Sequence, residues 1–153
     1  MVAGYGLAPV EAGVLAWSDV QARLAESRNY WVATTRPNGR PHVMPVWGLW
    51  WDGTFYFSTD PNSQKARNLA GNQEVVVHLE SGDDAVILEG AVERVTDPQT
   101  LAEFADRYDA KYQFRPDPSN PNFAFYSVRP RRAFAWREAD FPSSATRWVL
   151  RRD

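Results

Sequence analysis

Thr54-Phe55-Tyr56-Phe57-Ser58-Thr59-Asp60-Pro61-Asn62-Ser63-Gln64-Lys65-Ala66-Arg67-Asn68 reads as a strand, a turn and the opening of a short helix. Thr54 to Ser58 is aromatic and β-branched, hence a strand. Thr59-Asp60-Pro61-Asn62 turns the chain. Asn62 or Ser63 suits the N-cap, whose side-chain oxygen accepts from a free helix N–H. The helix is expected to end near Gly71. Its first turn carries Lys65 and Arg67, and cations there oppose the positive end of the helix dipole. An anion at that spot removes the conflict. Free N–H groups, a small hydroxyl, a lysine and an arginine together suit a phosphate. The plain alternative is a solvated basic helix, and on this segment alone the two readings stand level.

Outward from this segment the chain alternates strands and tight turns. Ser18-Asp19-Val20-Gln21 reads as a capping box, opening a helix to about Ser27 that buries Val20 and Leu24. Tyr30–Thr35 is a strand, Pro37-Asn38-Gly39-Arg40 a hairpin turn, and Pro41–Trp51 the returning strand. That strand is apolar on both faces and expected to be largely buried. Pro41 and Pro45 break its donor pattern and imply an edge, a bulge or a ligand beside it. Asp52-Gly53 turns into Thr54–Ser58. After the short helix, Val75–Leu79 and Ala85–Val95 are strands, with Gly90 a bulge or close approach. Asp97 caps a helix with Pro98 at its first position. Leu101, Phe104, Ala105, Tyr108 and Tyr112 make one apolar stripe on it. Phe114 to Pro121 is a loop. Phe123–Val128, Ala133–Arg137 and Arg147–Leu150 read as strands, with Arg129-Pro130-Arg131-Arg132 as a turn. The pattern predicts an antiparallel barrel or sandwich.

The chain has 153 residues, enough for one domain with a real core. Residues 1–16 are weakly patterned and read as a flexible arm before a domain over 17–153. Aromatic residues make up 14%, including seven Trp, so some rings are expected to line a pocket or a subunit interface. The net charge of −2 gives no basic field for nucleic acid or an anionic membrane. With no Cys, disulfides, thiolate metal sites and cysteine nucleophiles are excluded. The N-terminus has no basic start followed by a long apolar core, so no secretion signal is expected. No apolar run approaches the ~20 residues of a membrane span. A cytoplasmic protein is the expectation.

Set in order, these pieces resemble the pyridoxamine 5′-phosphate oxidase-like split-barrel superfamily. The closer likeness is to its flavin/deazaflavin oxidoreductase branch, whose members often use coenzyme F420. The parts that carry it are Ala33-Thr34-Thr35-Arg36-Pro37-Asn38-Gly39-Arg40-Pro41-His42, Pro45-Val46-Trp47, Tyr56-Phe57-Ser58-Thr59 and Ser63-Gln64-Lys65-Ala66-Arg67-Asn68-Leu69. Glu89-Gly90 and Thr146-Arg147-Trp148 complete the set. The ordered set is more specific than any single piece. The resemblance implies a mainly β, α+β fold: a six-stranded antiparallel split β-barrel, Greek-key-like, with a few peripheral helices.

It further implies a homodimer with a flavin-type cofactor at the interface and hydride transfer to a small organic acceptor. The strand through His42, Met44, Pro45, Val46 and Trp47 would run along the cofactor ring. Ser58, Thr59, Ser63, Lys65, Arg67 and Asn68 would take the phosphate end. Coenzyme F420 is the expected cofactor, with FMN the alternative. Residues two apart on a helix point to different sides, and the phosphodiester and glutamate tail of F420 offer Lys65 and Arg67 separate anions. A non-catalytic carrier of FMN, F420 or haem is the competing class, and a dimer with a vestigial pocket a third.

His42 lies on the presumed cofactor strand, as a ligand contact or a half-buried strand histidine. His78, between Val77 and Leu79, reads as structural. Two His without Cys do not indicate a metal site. Tyr126, Trp136 and Trp148 are candidates for the substrate side, with packing as the alternative for each, and Tyr126 is a candidate proton source. No acid/base side chain is expected to be essential, because the cofactor carries the chemistry.

Overall fold

The computed structural model describes residues 15–141 and 143–150. Most of the expected arm therefore lies outside the described residues. Helix α1 (Trp17–Glu26) comes first, followed by strands β1 (Asn29–Thr35), β2 (Pro41–Trp51) and β3 (Thr54–Thr59). Helix α2 (Gln64–Gly71), strands β4 (Glu74–His78) and β5 (Asp84–Arg94), and helix α3 (Pro98–Tyr112) follow. Strand β6 (Ala124–Arg137), a single 3₁₀ turn at Glu138–Asp140 and strand β7 (Thr146–Val149) end the order.

The strands pair as β3-β2-β1-β4-β5-β6, and β3 also pairs with β6, closing a six-stranded antiparallel barrel. Strand β7 adds to the far end of β6, from Arg132↔Val149 to Ala135↔Thr146. Closure removes most sheet edges. Inside, Tyr30, Val32, Phe55, Phe57, Val77, Leu88 and Val128 are almost fully buried, and Val20 and Leu24 of α1 join the same cluster. A second cluster lies outside the barrel, where Phe104 and Tyr112 of α3 meet Leu49 and Phe125.

Local signals explain most boundaries. Ser63 caps α2, its hydroxyl accepting from Ala66 N at 3.1 Å, a cap worth about 1 kcal/mol. Asp97 caps α3 through Thr100 N at 2.9 Å. The Asp52-Gly53 hairpin takes positive φ at both residues, as a two-residue turn between twisted strands requires.

Three expectations are corrected. Ser18 does not cap α1: the helix starts at Trp17 with Ala16 as cap and no side-chain cap bond. Gln21 instead accepts from Trp50 Nε1 at 3.3 Å, and packing of Trp17 on Trp50 and Trp148 moves the start forward. Arg129-Pro130-Arg131-Arg132 is no turn but the middle of β6. Pro130 is accommodated because the β5–β6 register shifts between Glu89 and Gly90, and the missing Cβ of Gly90 lets Arg129 O approach. Lastly, β2 is buried only in its second half, and Pro41, Val43, Met44 and Pro45 are exposed.

Candidate functional site

The exposed half of β2 follows from how its neighbours pair. Residues Pro41 to Trp47 pair with β1, whereas β3 pairs only with Gly48 to Trp51. On the β3 side the 41–47 stretch has no strand partner among the described residues. The two strands part at Gly48, whose other side, just before β1 begins, is bonded by α3. The Tyr112 hydroxyl accepts from Gly48 N at 2.9 Å and lies 2.7 Å from Arg28 O. Lys111 Nζ donates to Gly48 O at 3.1 Å and to the Tyr30 hydroxyl at 2.8 Å. Gly48 thus directs its amide and carbonyl to the β1 side. Strand alternation then turns the backbone groups of residues 41, 43, 45 and 47 toward the open edge. Pro41 and Pro45 carry no N–H, which leaves Val43 and Trp47 as the edge's amide donors.

Lys65, in the first turn of α2, is 7% exposed, and its ammonium has no hydrogen-bond or ion-pair partner among the described residues. Burial lowers its pKa. His42 stands within its electrostatic reach. Burial first, then the charges of Arg36 and Lys65, lower the imidazole pKa. The Nδ1 atom of His42 is sealed from solvent without a hydrogen-bond partner. Buried polar atoms are nearly always paired, so the arrangement is unsatisfied on both sides.

The other expected phosphate residues divide. Thr59 Oγ1 lies 3.1 Å from Ser63 Oγ, so strand end and helix cap are tied together. Asn68 is buried and used internally, donating to Thr34 Oγ1 at 2.9 Å and accepting from Gln64 Nε2 at 2.7 Å. It anchors α2 on β1. Arg67 is exposed and donates to Asn62 O and to Gln64 Oε1, away from the buried Lys65. Ser58 shares the outer face of β3 with Tyr56 by alternation. Its Oγ is sealed and unpaired, and it lines a cavity beside α3.

On the open strand, Met44 is 47% exposed and Val46 is buried at 8%. Trp47 lies flat on Tyr112, with centroids 4.6 Å apart and planes 1° from parallel, and Arg28 sits 5.0 Å over its ring. The substrate-side trio is not gathered into one place. Tyr126 and Trp148 belong to the interior cluster, and Trp136 packs edge-on against Phe141. Sequence reasoning missed Lys111 and the hydroxyl of Tyr112. The apolar stripe on α3 marked Tyr112 as packing only, and no local signal shows that its hydroxyl reaches β2.

The model of the pyridoxamine 5′-phosphate oxidase family matches residues 17–137. The chain belongs to this family. Solved structures similar to this member include a conserved hypothetical protein from Mycobacterium tuberculosis, 26% identical, covering 83% of this chain and 88% of the other with a TM-score of 0.70. A structure named F420 reductase is 29% identical over 72% of this chain and 93% of its own, with a TM-score of 0.57. A heme binding protein from Mycobacterium smegmatis shares the fold at 18% identity, covering 80% of this chain and 55% of that one, with a TM-score of 0.63. No curated protein matches the chain significantly. Among the described residues, no helix of this family member is long and apolar enough to cross a membrane.

Proposed function

We propose that this chain is an oxidoreductase that binds coenzyme F420 along the open edge of β2 and passes a hydride to a small organic acceptor. The observation that carries this reading is the largely buried side chain of Lys65, whose ammonium has no counter-ion among the described residues, within electrostatic reach of His42 and its unpaired Nδ1. A buried cation without a counter-ion is costly, and an anion between helix α2 and β2 relieves it. The residues present fit a phosphodiester. Lys65 supplies a point charge, the start of α2 adds N–H donors, and the Thr59–Ser63 pair fixes the approach of strand to helix.

A bound deazaflavin supplies the hydride; the protein binds, orients and excludes water. The amides of Val43 and Trp47 face the edge where the ring would lie. Tyr112 and Lys111 fix β2 at Gly48 from the β1 side. Arg67 points to solvent from the same helix and is free to meet an anionic group beyond the phosphodiester. That division of the two cations favours F420, with its glutamate tail, over FMN with one phosphate. The F420 reductase among the similar structures supports the same choice. Val43, Met44 and Trp47 form an exposed apolar stretch, which supports a homodimer closing over the groove.

The test is a fluorescence titration with F420 and FMN in parallel. Tight F420 binding with weak FMN binding supports the reading, and the reverse makes this an FMN protein. Reoxidation of reduced F420 that quickens on adding an acceptor separates an enzyme from a carrier.

A further inference from the structure

Ser58 leaves the phosphate group for a different neighbourhood. It lines a cavity of about 310 Å³ with Thr59, Asp60, Tyr108, Phe114, Pro116, Asn122 and Phe123. The cavity lies between the end of β3, helix α3 and the loop after it, on the outer face of the barrel. Three aromatic side chains wall it. Tyr108 meets Phe114 at 6.5 Å and 72°, and Phe114 meets Phe123 at 6.5 Å and 63°. These rings form a corner rather than a closed stack, so a flat guest can lie face-on to one and edge-on to another. Phe114 is 49% exposed, a large apolar ring left in water at the rim.

The polar lining is selective. The Ser58 hydroxyl has no hydrogen-bond partner among the described residues, but it is sealed behind the lining and a guest does not reach it. Asn122 offers an amide. The single charged group lining the cavity is the carboxylate of Asp60, and no cation lines it. Such a lining disfavours an anion. It therefore differs in kind from the Lys65–His42 arrangement, although Thr59 and Ser63 join the two.

We propose that this cavity binds a neutral planar aromatic ring, with the ring against Phe114 and Phe123 and a polar edge toward the Asn122 amide. The site adjoins the phosphate end through Thr59 but takes no part of the Lys65–His42 arrangement. It does not rest on the identity of the cofactor.

The test uses 2-naphthol as probe, with 2-naphthoate and 2-decalol as the charged and the non-planar comparison, in calorimetric titrations of the full chain. Binding of 2-naphthol is expected to weaken about fivefold or more in Phe114→Ala, the range for loss of one stacking partner. Asn122→Ala weakens it less, and Asn122→Trp, which fills the cavity, abolishes it. Naphthoate and decalol bind at least about tenfold more weakly, for want of a cation and of a flat face. Lys65→Ala is expected to leave naphthol binding unchanged while weakening F420 binding, so failure at one site is distinguishable from failure at the other. Unchanged naphthol affinity in both Phe114→Ala and Asn122→Trp overturns the proposal. So does equal binding of naphthoate, or no binding because a second copy or another part of the chain fills the space. Thermal melts of each variant show that the fold is kept; Asn122→Ala, a change at an exposed loop residue, carries the test if Phe114→Ala unfolds.

Discussion

Lys65 lies within electrostatic reach of His42, and after burial and the charge of Arg36 its own charge helps to lower the imidazole pKa. Two basic groups that feel each other's charge are mutually unfavourable, and each is also desolvated. The folded protein therefore carries a local cost that a bound anion removes.

Removing that cost has a measurable sign. Lys65→Met deletes a buried, unpartnered charge and is expected to raise stability by roughly 1 kcal/mol, as seen where function opposes stability. The same change should weaken F420 binding at least about tenfold, the scale of a lost charge-assisted hydrogen bond. Urea melts and fluorescence titration of the one variant check both halves. A lower midpoint together with unchanged binding rules out the phosphate role.

Arg67→Ala should behave differently. The side chain is exposed and bonds its own turn, so stability should change by less than about 0.5 kcal/mol. Affinity should fall more for F420 with a long glutamate tail than for a version without it. Equal losses for the two cofactors mean Arg67 does not read the tail.

The lowered pKa of His42 predicts a pH dependence of binding. The free protein holds the ring neutral at pH 7, while a bound anion favours its protonated form. F420 affinity is thus expected to rise as pH falls from neutral toward the lowered pKa of the free ring, and to lose that rise in His42→Gln. Titrations at pH 5.5 and 7.5 decide it. A parallel rise in the variant assigns the effect elsewhere.

Burial lowers the Lys111 pKa to about 8. Its unfolded value is near 10.5, so between these values the unfolded chain binds the extra proton and stability rises with pH. Being half-exposed, the group contributes less than about 1 kcal/mol. Urea melts from pH 7.5 to 9.5 should show the wild type gaining stability relative to Lys111→Met. Work must stay below pH 10, because Tyr108 is pushed up to about 12 and Tyr titration in the unfolded chain reverses the slope.

Gly90→Ala places a Cβ 2.9 Å from Arg129 O and 3.2 Å from Pro130 Cα. Backbone on both sides cannot yield cheaply, so a loss of about 1–3 kcal/mol is expected. A thermal melt that matches the wild type would show that the bulge relaxes.

Features written in a few adjacent residues were legible in the sequence. The Ser63 cap, the Asp97-Pro98 start and the Asp52-Gly53 turn each depend on local chemistry, and each forms where expected. Gly90 was legible as a bulge or close approach, and it is the close approach; that the extra residue is Arg131 on β6, beside Pro130, was not legible, because the two meet only across β5 and β6. The exposure of Val43 and Met44 was likewise hidden. Their apolar character speaks of burial, and only the parting of β2 from β3 leaves them uncovered. Among the site residues, the sequence marked Lys65 by its odd position in the first turn of α2. It gave no sign that Ser58 and Thr59 also line a cavity beside α3, because that cavity is closed by residues far along the chain.

The prolines of the open strand also protect the protein from itself. An uncovered strand edge of seven residues, Pro41 to Trp47, invites any extended chain to zip onto it, and repeated pairing of that kind grows fibres. Pro41 and Pro45 sit at the positions that turn outward, so a recruited strand would find two of four amide donors missing. The groove can therefore stand open to a small flat cofactor while refusing a polypeptide of the same width.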